Sequence, residues 1–355
     1  MGENAHSFVR LTGEDQVEST SIGISNPWAR SAGLLILGAA MLVFVGLSIV
    51  LGATKISVQQ AYDSIVQYDS TSNEQIIART TRVPRALIAA AIGASLAIAG
   101  AIMQAITRNP LGDPTILGIN SGATLSVVTA ITVFGIGSMN VLVWISFLGA
   151  ALGAMSVFAL GSLGRDGLSP MRIVLAGAAM TALFGSFTQG LLVMNENGLN
   201  DVLFWLTGSI AGRSLESLSS VLPYLAVSWI AALIICRHLN VLAMGEDTAK
   251  GLGQKTIAVK IIGSIIIVLL AGSSVAVAGP IGFIGIVVPQ ISRLFAGMDY
   301  RWLIPYSALS GALLLLAADI MARYIIMPQE LPVGVMTAVI GTPVFIFIAR
   351  KGLNK

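Results

Sequence analysis

Arg82 and Arg85 stand three residues apart around a Val–Pro pair, and Asp319 stands four residues before Arg323. Cations at that spacing share one helix face, and their chemistry is the recognition of carboxylates, not the making of bonds. Pro84 suits the first turn of the helix it opens, where its missing N–H costs nothing. Two cations at a helix N-terminus oppose the helix dipole by roughly a few tenths of a kcal/mol each. Either an acidic partner or the lipid headgroups reached by snorkelling would offset that. Asp before Arg at i,i+4 is the favourable order for a local pair, and Arg323 is expected to reach the same surface.

The remaining reactive side chains are few. Cys236 is the single cysteine, which excludes an intrachain disulfide and a CxxC pair, and His6 and His238 are the only histidines. A haem or zinc centre wants clustered His, Cys or carboxylates, so no metal or cofactor is expected on this chain. A serine hydrolase would need a base that the apolar stretches do not hold, so no catalytic residues are expected. Gly251–Thr256 has the wrong glycine spacing for a phosphate loop and no Gly–Lys pair, so ATP would be hydrolysed by a partner. Asp113, Asp319 and Glu330 fall at the ends of apolar stretches, poor places for the proton relay of an ion-coupled carrier.

The elements that must position these groups follow from composition. Of 355 residues 55% are hydrophobic and 10% charged, far from the roughly one-quarter charged of soluble domains. The charge-free stretches are Ser31 to Leu51, Ala86 to Thr107, Pro114 to Gly164, Ile173 to Asn195, Ser217 to Cys236, Ile261 to Ser292, Trp302 to Ala318 and Leu331 to Ala349. Two are too long for one crossing of about 20 residues. The first should break at Gly135–Asn140, and the second at Gly272–Ser274 or Gly279–Pro280. The reading is an all-α membrane protein of about ten transmembrane helices, because solidly apolar segments satisfy their backbone in lipid only as helices.

An even helix count places both termini on one side. With that side inside, only Lys55, Arg79, Arg82, Arg85, Arg213 and Arg323 of the 20 basic residues fall outside, as the positive-inside rule asks. The net charge of +3 is then a topology signal, and no nucleic-acid partner is expected. Residues 1–30 read as a disordered cytoplasmic tail before the 31–355 membrane domain.

Asn109–Pro114 is a tight inner turn between two helices. Leu239–Gly253, within an inner stretch of about 237–256, is an inner loop that Gly245 should cut into two short helices. Glu246 and Asp247 suit the second one's N-terminus. Gly279-Pro280-Ile281-Gly282-Phe283-Ile284-Gly285 forbids a straight helix.

With Ala99–Gln104, Leu117–Ala123, Gly208-Ser209, Ala318-Asp319-Ile320, Glu330-Leu331-Pro332-Val333-Gly334 and Gly341–Phe345, these segments resemble the FecCD-type permeases of ABC importers for iron siderophores, haem and cobalamin. The resemblance spans nearly the whole chain. It implies a type II ABC importer permease fold in a bacterial plasma membrane. It also implies a second permease subunit, identical or related, two cytoplasmic ABC ATPases, and an extracytoplasmic substrate-binding protein.

By the same resemblance Arg82, Arg85 and Arg323 dock acidic residues of the binding protein. Leu239, Leu242, Met244, Gly245, Glu246, Asp247, Leu252 and Gly253 seat in the ATPase. The fifth membrane helix lies along the translocation path, with Ser186, Thr188 and Gln189 as candidate polar groups, although small polar residues also pack helices. Iron siderophore is the substrate expected, with haem or cobalamin as alternatives and an ion-coupled carrier as the competing class. Gln290 departs from the histidine common in relatives.

Overall fold

The computed structural model describes residues 26–163 save 53 and 55, residues 170–194, and residues 205–353 save 328. The described residues form α-helices and no strands: α1 Pro27–Val50, α2 Val58–Val66, α3 Asn73–Ile77, α4 Val83–Thr107, α5 Ile119–Thr132, α6 Met139–Ser162 and α7 Pro170–Met194. There follow α8 Leu215–Ala243, α9 Glu246–Gly251, α10 Thr256–Ala278, α11 Ile284–Ala296, α12 Tyr300–Tyr324 and α13 Val333–Leu353. Seven helices are long and apolar enough to cross a membrane (α1, α4, α6, α7, α8, α10 and α12), and α5, α11 and α13 contribute shorter apolar runs. Together they are the ten apolar helices expected, in the expected order.

Most of the tail lies outside the described residues. The first helix begins at Pro27, ahead of Ser31, with Asn26 accepting from the Trp28 amide at 3.0 Å. The long stretches break where glycine and proline permit it. Residues 133–138 separate α5 from α6, while α10 runs through Gly272–Ser274 and ends only at Gly279. At 14 and 13 residues, α5 and α11 are about 20 Å long, less than the roughly 30 Å apolar slab. Non-helical backbone at that depth is tolerated only when protein surrounds it. Here the Ser209 amide donates to the Ala278 carbonyl at 2.8 Å and the Gly334 amide to the Gly208 carbonyl at 3.0 Å.

α4 is the most buried of the long helices. It can sit so deep because its glycines let backbones touch. A Cβ on Gly93 would overlap the Gly311 carbonyl of α12, and one on Gly100 would overlap the Gly285 carbonyl of α11. Gly149 and Gly153 of α6 do the same for Gly118 and Gly122 at the start of α5. α1, by contrast, lies mostly exposed on the outside of the bundle. It is pinned where the Tyr306 hydroxyl donates to the Arg30 carbonyl at 2.8 Å.

With 25 residues, α4 is about 37 Å long and separates two faces of the molecule. Arg82 and Arg85 mark one end. At the other, Gly245 lies beside the Arg108 guanidinium.

Candidate docking, coupling and translocation sites

The arginine end is built by a π-helical turn, Ala78–Arg82, that leads into α4 with Pro84 in its first turn. Arg82 and Arg85 share that end as their spacing requires and Arg323 joins them from α12, but the expectation that they stand at the surface is corrected. They are only 5%, 7% and 4% exposed. An isolated guanidinium could not be buried, so each is bonded within the chain.

Arg82 donates to the carbonyls of Ile49 at 2.9 Å, Val50 at 2.7 Å and Thr54, capping the end of α1. Arg85 holds Asp319 at 2.8 Å and Glu330 at 2.6 Å. Arg323 pairs with Asp319 as expected, and also donates to the Ser48 carbonyl at 2.7 Å, the Ser48 hydroxyl at 2.8 Å and the Leu51 carbonyl at 2.9 Å. Asp319 is fully buried between two guanidiniums, whereas the Glu330 side chain is 38% exposed.

The three arginines and Glu330, with Gly52, Thr54, Ile77 and Thr81, line a cleft of about 130 Å³. Counting Asp319 beneath it, three cations face two carboxylates, a net charge of +1. Arg82 has no carboxylate partner among the described residues. Arg79, nearby, is exposed and stacks on the Tyr68 ring at 4.4 Å.

The opposite face carries the loop around Gly245. Residues 239–243 prove to be the end of α8, not a separate short helix, so Leu239 and Leu242 are buried in the core and unavailable to a partner. Gly245, at φ 123°, turns the chain into α9, where Glu246 and Asp247 occupy the first turn. Glu246 clamps α9 onto α10 through Lys260 at 2.8 Å and pairs with Lys250 at 3.2 Å. Its hydrogen bond to Lys260, supplemented by the one to Lys250, holds its carboxyl below the usual glutamate range. Met244 and Leu252 remain 68% and 64% exposed on either side of α9, with Asp247 and Gly253 also exposed.

Between the two faces α7 leaves one side open. Ser186 and Gln189 lie exposed on it with Leu183 and Phe187. Thr188 does not join them: it is buried, and its hydroxyl donates to the Phe184 carbonyl at 2.8 Å, which is helix packing. The same side opens onto a cavity of about 530 Å³ lined by Thr115, Asn120, Ser121 and Thr181 together with small apolar residues. Sequence reading passed over these four, although Asn120 and Ser121 sit in a polar interruption just after the Gly118 break, a signal in an otherwise apolar run.

Asp113 is buried as the cap of the 114–117 turn, accepting from the Thr115 amide at 2.8 Å, and burial pushes its carboxyl above the usual range. Gln290 donates to the Gln104 side chain at 3.0 Å and the Pro110 carbonyl at 2.6 Å, so it ties α11 to α4 and the inner turn.

The chain is 54% identical over 312 residues, 88% of its length and 93% of the relative's, to the "Probable siderophore transport system permease protein YfiZ" of Bacillus subtilis (strain 168). It is 42% identical to the Fe(3+)-citrate import system permease protein YfmD of the same organism, over 91% of this chain and 97% of that one. A cobalamin import system permease protein, BtuC of Halobacterium salinarum, is 36% identical over 82% of this chain and 78% of its own.

Among solved structures, a chain from an inward-facing structure assigned to a metal-chelate type ABC transporter superposes with a TM-score of 0.79 at 29% identity. That match covers 91% of this chain and 99% of the other. The fold is that of an ABC transporter permease, a multi-pass membrane subunit that works in a complex with partners. The FecCD transport family model matches residues 40–351, and the chain belongs to the FecCD transport family.

Proposed function

We propose that this chain is the membrane-spanning permease subunit of an ABC importer that moves iron(III)–siderophore complexes across a bacterial plasma membrane. The observation that carries the reading is the 54% identity to a siderophore permease over 93% of that protein, with a ferric citrate permease next at 42%. In this reading both termini are cytoplasmic and the chain binds no cofactor. A second permease subunit, identical or related, completes the path, and two cytoplasmic ATPases hydrolyse the ATP. An extracytoplasmic binding protein delivers the chelate, and lipid surrounds the rest.

The geometry supports a role for each face. The cation-rich cleft at Arg82, Arg85 and Arg323 is matched to acidic side chains of the binding protein, with Arg82 the guanidinium that has no carboxylate of its own. Met244, Gly245, Asp247, Leu252 and Gly253, around the Glu246 clamp, form the knob that seats in an ATPase. Ser186 and Gln189 on α7, continued by Thr181, Asn120 and Ser121, line the path between the two permeases with uncharged polar groups. The ion-coupled carrier finds less support, because Asp319, the fully buried acid of α12, is already taken up as the shared partner of two guanidiniums.

The test is uptake of labelled iron from ferric siderophores and ferric citrate, with haem and cobalamin alongside, in cells with and without this chain. Loss of a ferric siderophore's uptake on deletion is expected. Loss of only haem or cobalamin uptake would replace the substrate, and unchanged uptake of all four would overturn the importer role.

A further inference from the structure

We propose that Glu330 is a built-in stand-in for the binding protein's carboxylate, and that docking proceeds by exchange of one carboxylate for another on Arg85. The inference rests on the arginine cleft being the docking site. Arg85 makes two kinds of acid contact. Asp319 is fully buried and shared with Arg323, a permanent part of the helix packing. Glu330 approaches the Nη1 atom from the side of the cleft at 2.6 Å and is more than one-third exposed.

A carboxylate entering a cleft of about 130 Å³ meets the Nη1 side of Arg85 that Glu330 occupies, and Arg82, which has only carbonyls. Two acids cannot share that guanidinium face at close range without repulsion. An incoming acid held also by Arg82 and Arg323 has the stronger field, because it collects the net +1 that the resident pair leaves uncompensated.

Glu330 is well placed to report its own displacement. It precedes the Leu331 amide, which donates to the Ala322 carbonyl at 3.1 Å, and α13 starts three residues later at Val333. The next amide, Gly334, is bonded to Gly208 at 3.0 Å, and a Cβ on Gly334 would overlap the Thr207 carbonyl. Releasing Glu330 removes the side-chain anchor next to these bonds and leaves the two backbone bonds alone to hold the start of α13. Docking at the surface thus reaches a membrane helix through one side chain.

The experiment is a double-mutant cycle on the intact importer in lipid nanodiscs. The probe is the substrate-binding protein whose loss abolishes the same uptake, with its affinity measured for wild type, E330Q, R85Q, the double variant and R82Q. Removing the competitor in E330Q should tighten binding about threefold or more, and R85Q should weaken it about tenfold. In the R85Q background E330Q should have no further effect, since Glu330 acts only through Arg85.

Hydrogen exchange at residues 331–334 should rise when the binding protein is added to wild type, and be raised beforehand in E330Q. If R85Q and R82Q both leave affinity unchanged, the docking reading itself fails. If they weaken binding but E330Q does not tighten it, or tightens it equally in the R85Q background, docking stands and the exchange is overturned. Because Arg85 is buried, R85Q is scored only if it elutes as intact complex. R82Q, whose partners are carbonyls, tests the cleft independently.

Discussion

At the scale of single residues, the three guanidiniums hold the permease's own fold together. Arg82 and Arg323 cap the end of α1, and Arg85 and Arg323 enclose Asp319. A buried charge is costly unless paired, so removing the shared acid should hurt more than removing one of its cations. Asp319→Asn, which leaves Arg323 with no carboxylate and Arg85 with only the partly exposed Glu330, is expected to cost about 3–5 kcal/mol. Arg323→Met, which leaves Asp319 with Arg85, should cost clearly less; thermal unfolding of the purified chain in detergent ranks the two. The Asp319–Arg323 pair was legible from its i,i+4 spacing. The Arg85–Glu330 pair was not, because the partners lie 245 residues apart and local spacing carries no such contact. Burial of Arg82 and Arg323 was hidden as well: most of their acceptors, at Ser48–Leu51 and Thr54, are backbone carbonyls, which have no signature in residue type.

At the scale of elements, charge-free length located the helices well, and glycine with proline located the breaks. Pattern alone could not tell that α5 and α11 are short, since burial among neighbours decides where irregular backbone is tolerated. Nor could it separate Leu239 and Leu242 from the loop around Gly245, because a helix end and a loop share composition there. The glycine contacts give a direct test. Gly100→Ala must push α4 and α11 apart and should destabilise by about 1–3 kcal/mol. Gly38→Ala, where a Cβ meets nothing within 4 Å, should be close to neutral in the same melt.

The Glu246 clamp adds a pH dependence. Its carboxyl is held below the usual 4.5 by Lys260 first. Its contribution is therefore full above that value and is lost as pH falls through the lowered one. Hydrogen exchange across 246–260, corrected for intrinsic rates, should be faster in Glu246→Gln than in wild type at neutral pH. The difference should vanish once the medium is more acidic than the clamp's own titration.

At the scale of the molecule, a cation-rich cleft and an exposed knob lie at opposite ends of α4, and α7 leaves a mixed polar and apolar side open between them. The proposed second permease would cover such a side better than lipid, because lipid offers the exposed Gln189 amide no partner, while the Ser186 hydroxyl is satisfied by the Ala182 carbonyl. With Cys236, the single cysteine, replaced by alanine, Ser186→Cys should give a permease–permease product with a short bifunctional thiol reagent. Leu35→Cys, on the exposed flank of α1, should not.

The central claim is that partners, and no ion gradient, drive this chain. Its most direct test is the initial rate of ferric siderophore uptake in cells depleted of ATP with the ion gradient maintained, and in cells with the gradient collapsed and ATP preserved. The account predicts that uptake stops in the first and persists in the second. Uptake that survives ATP depletion and stops with the gradient would contradict it.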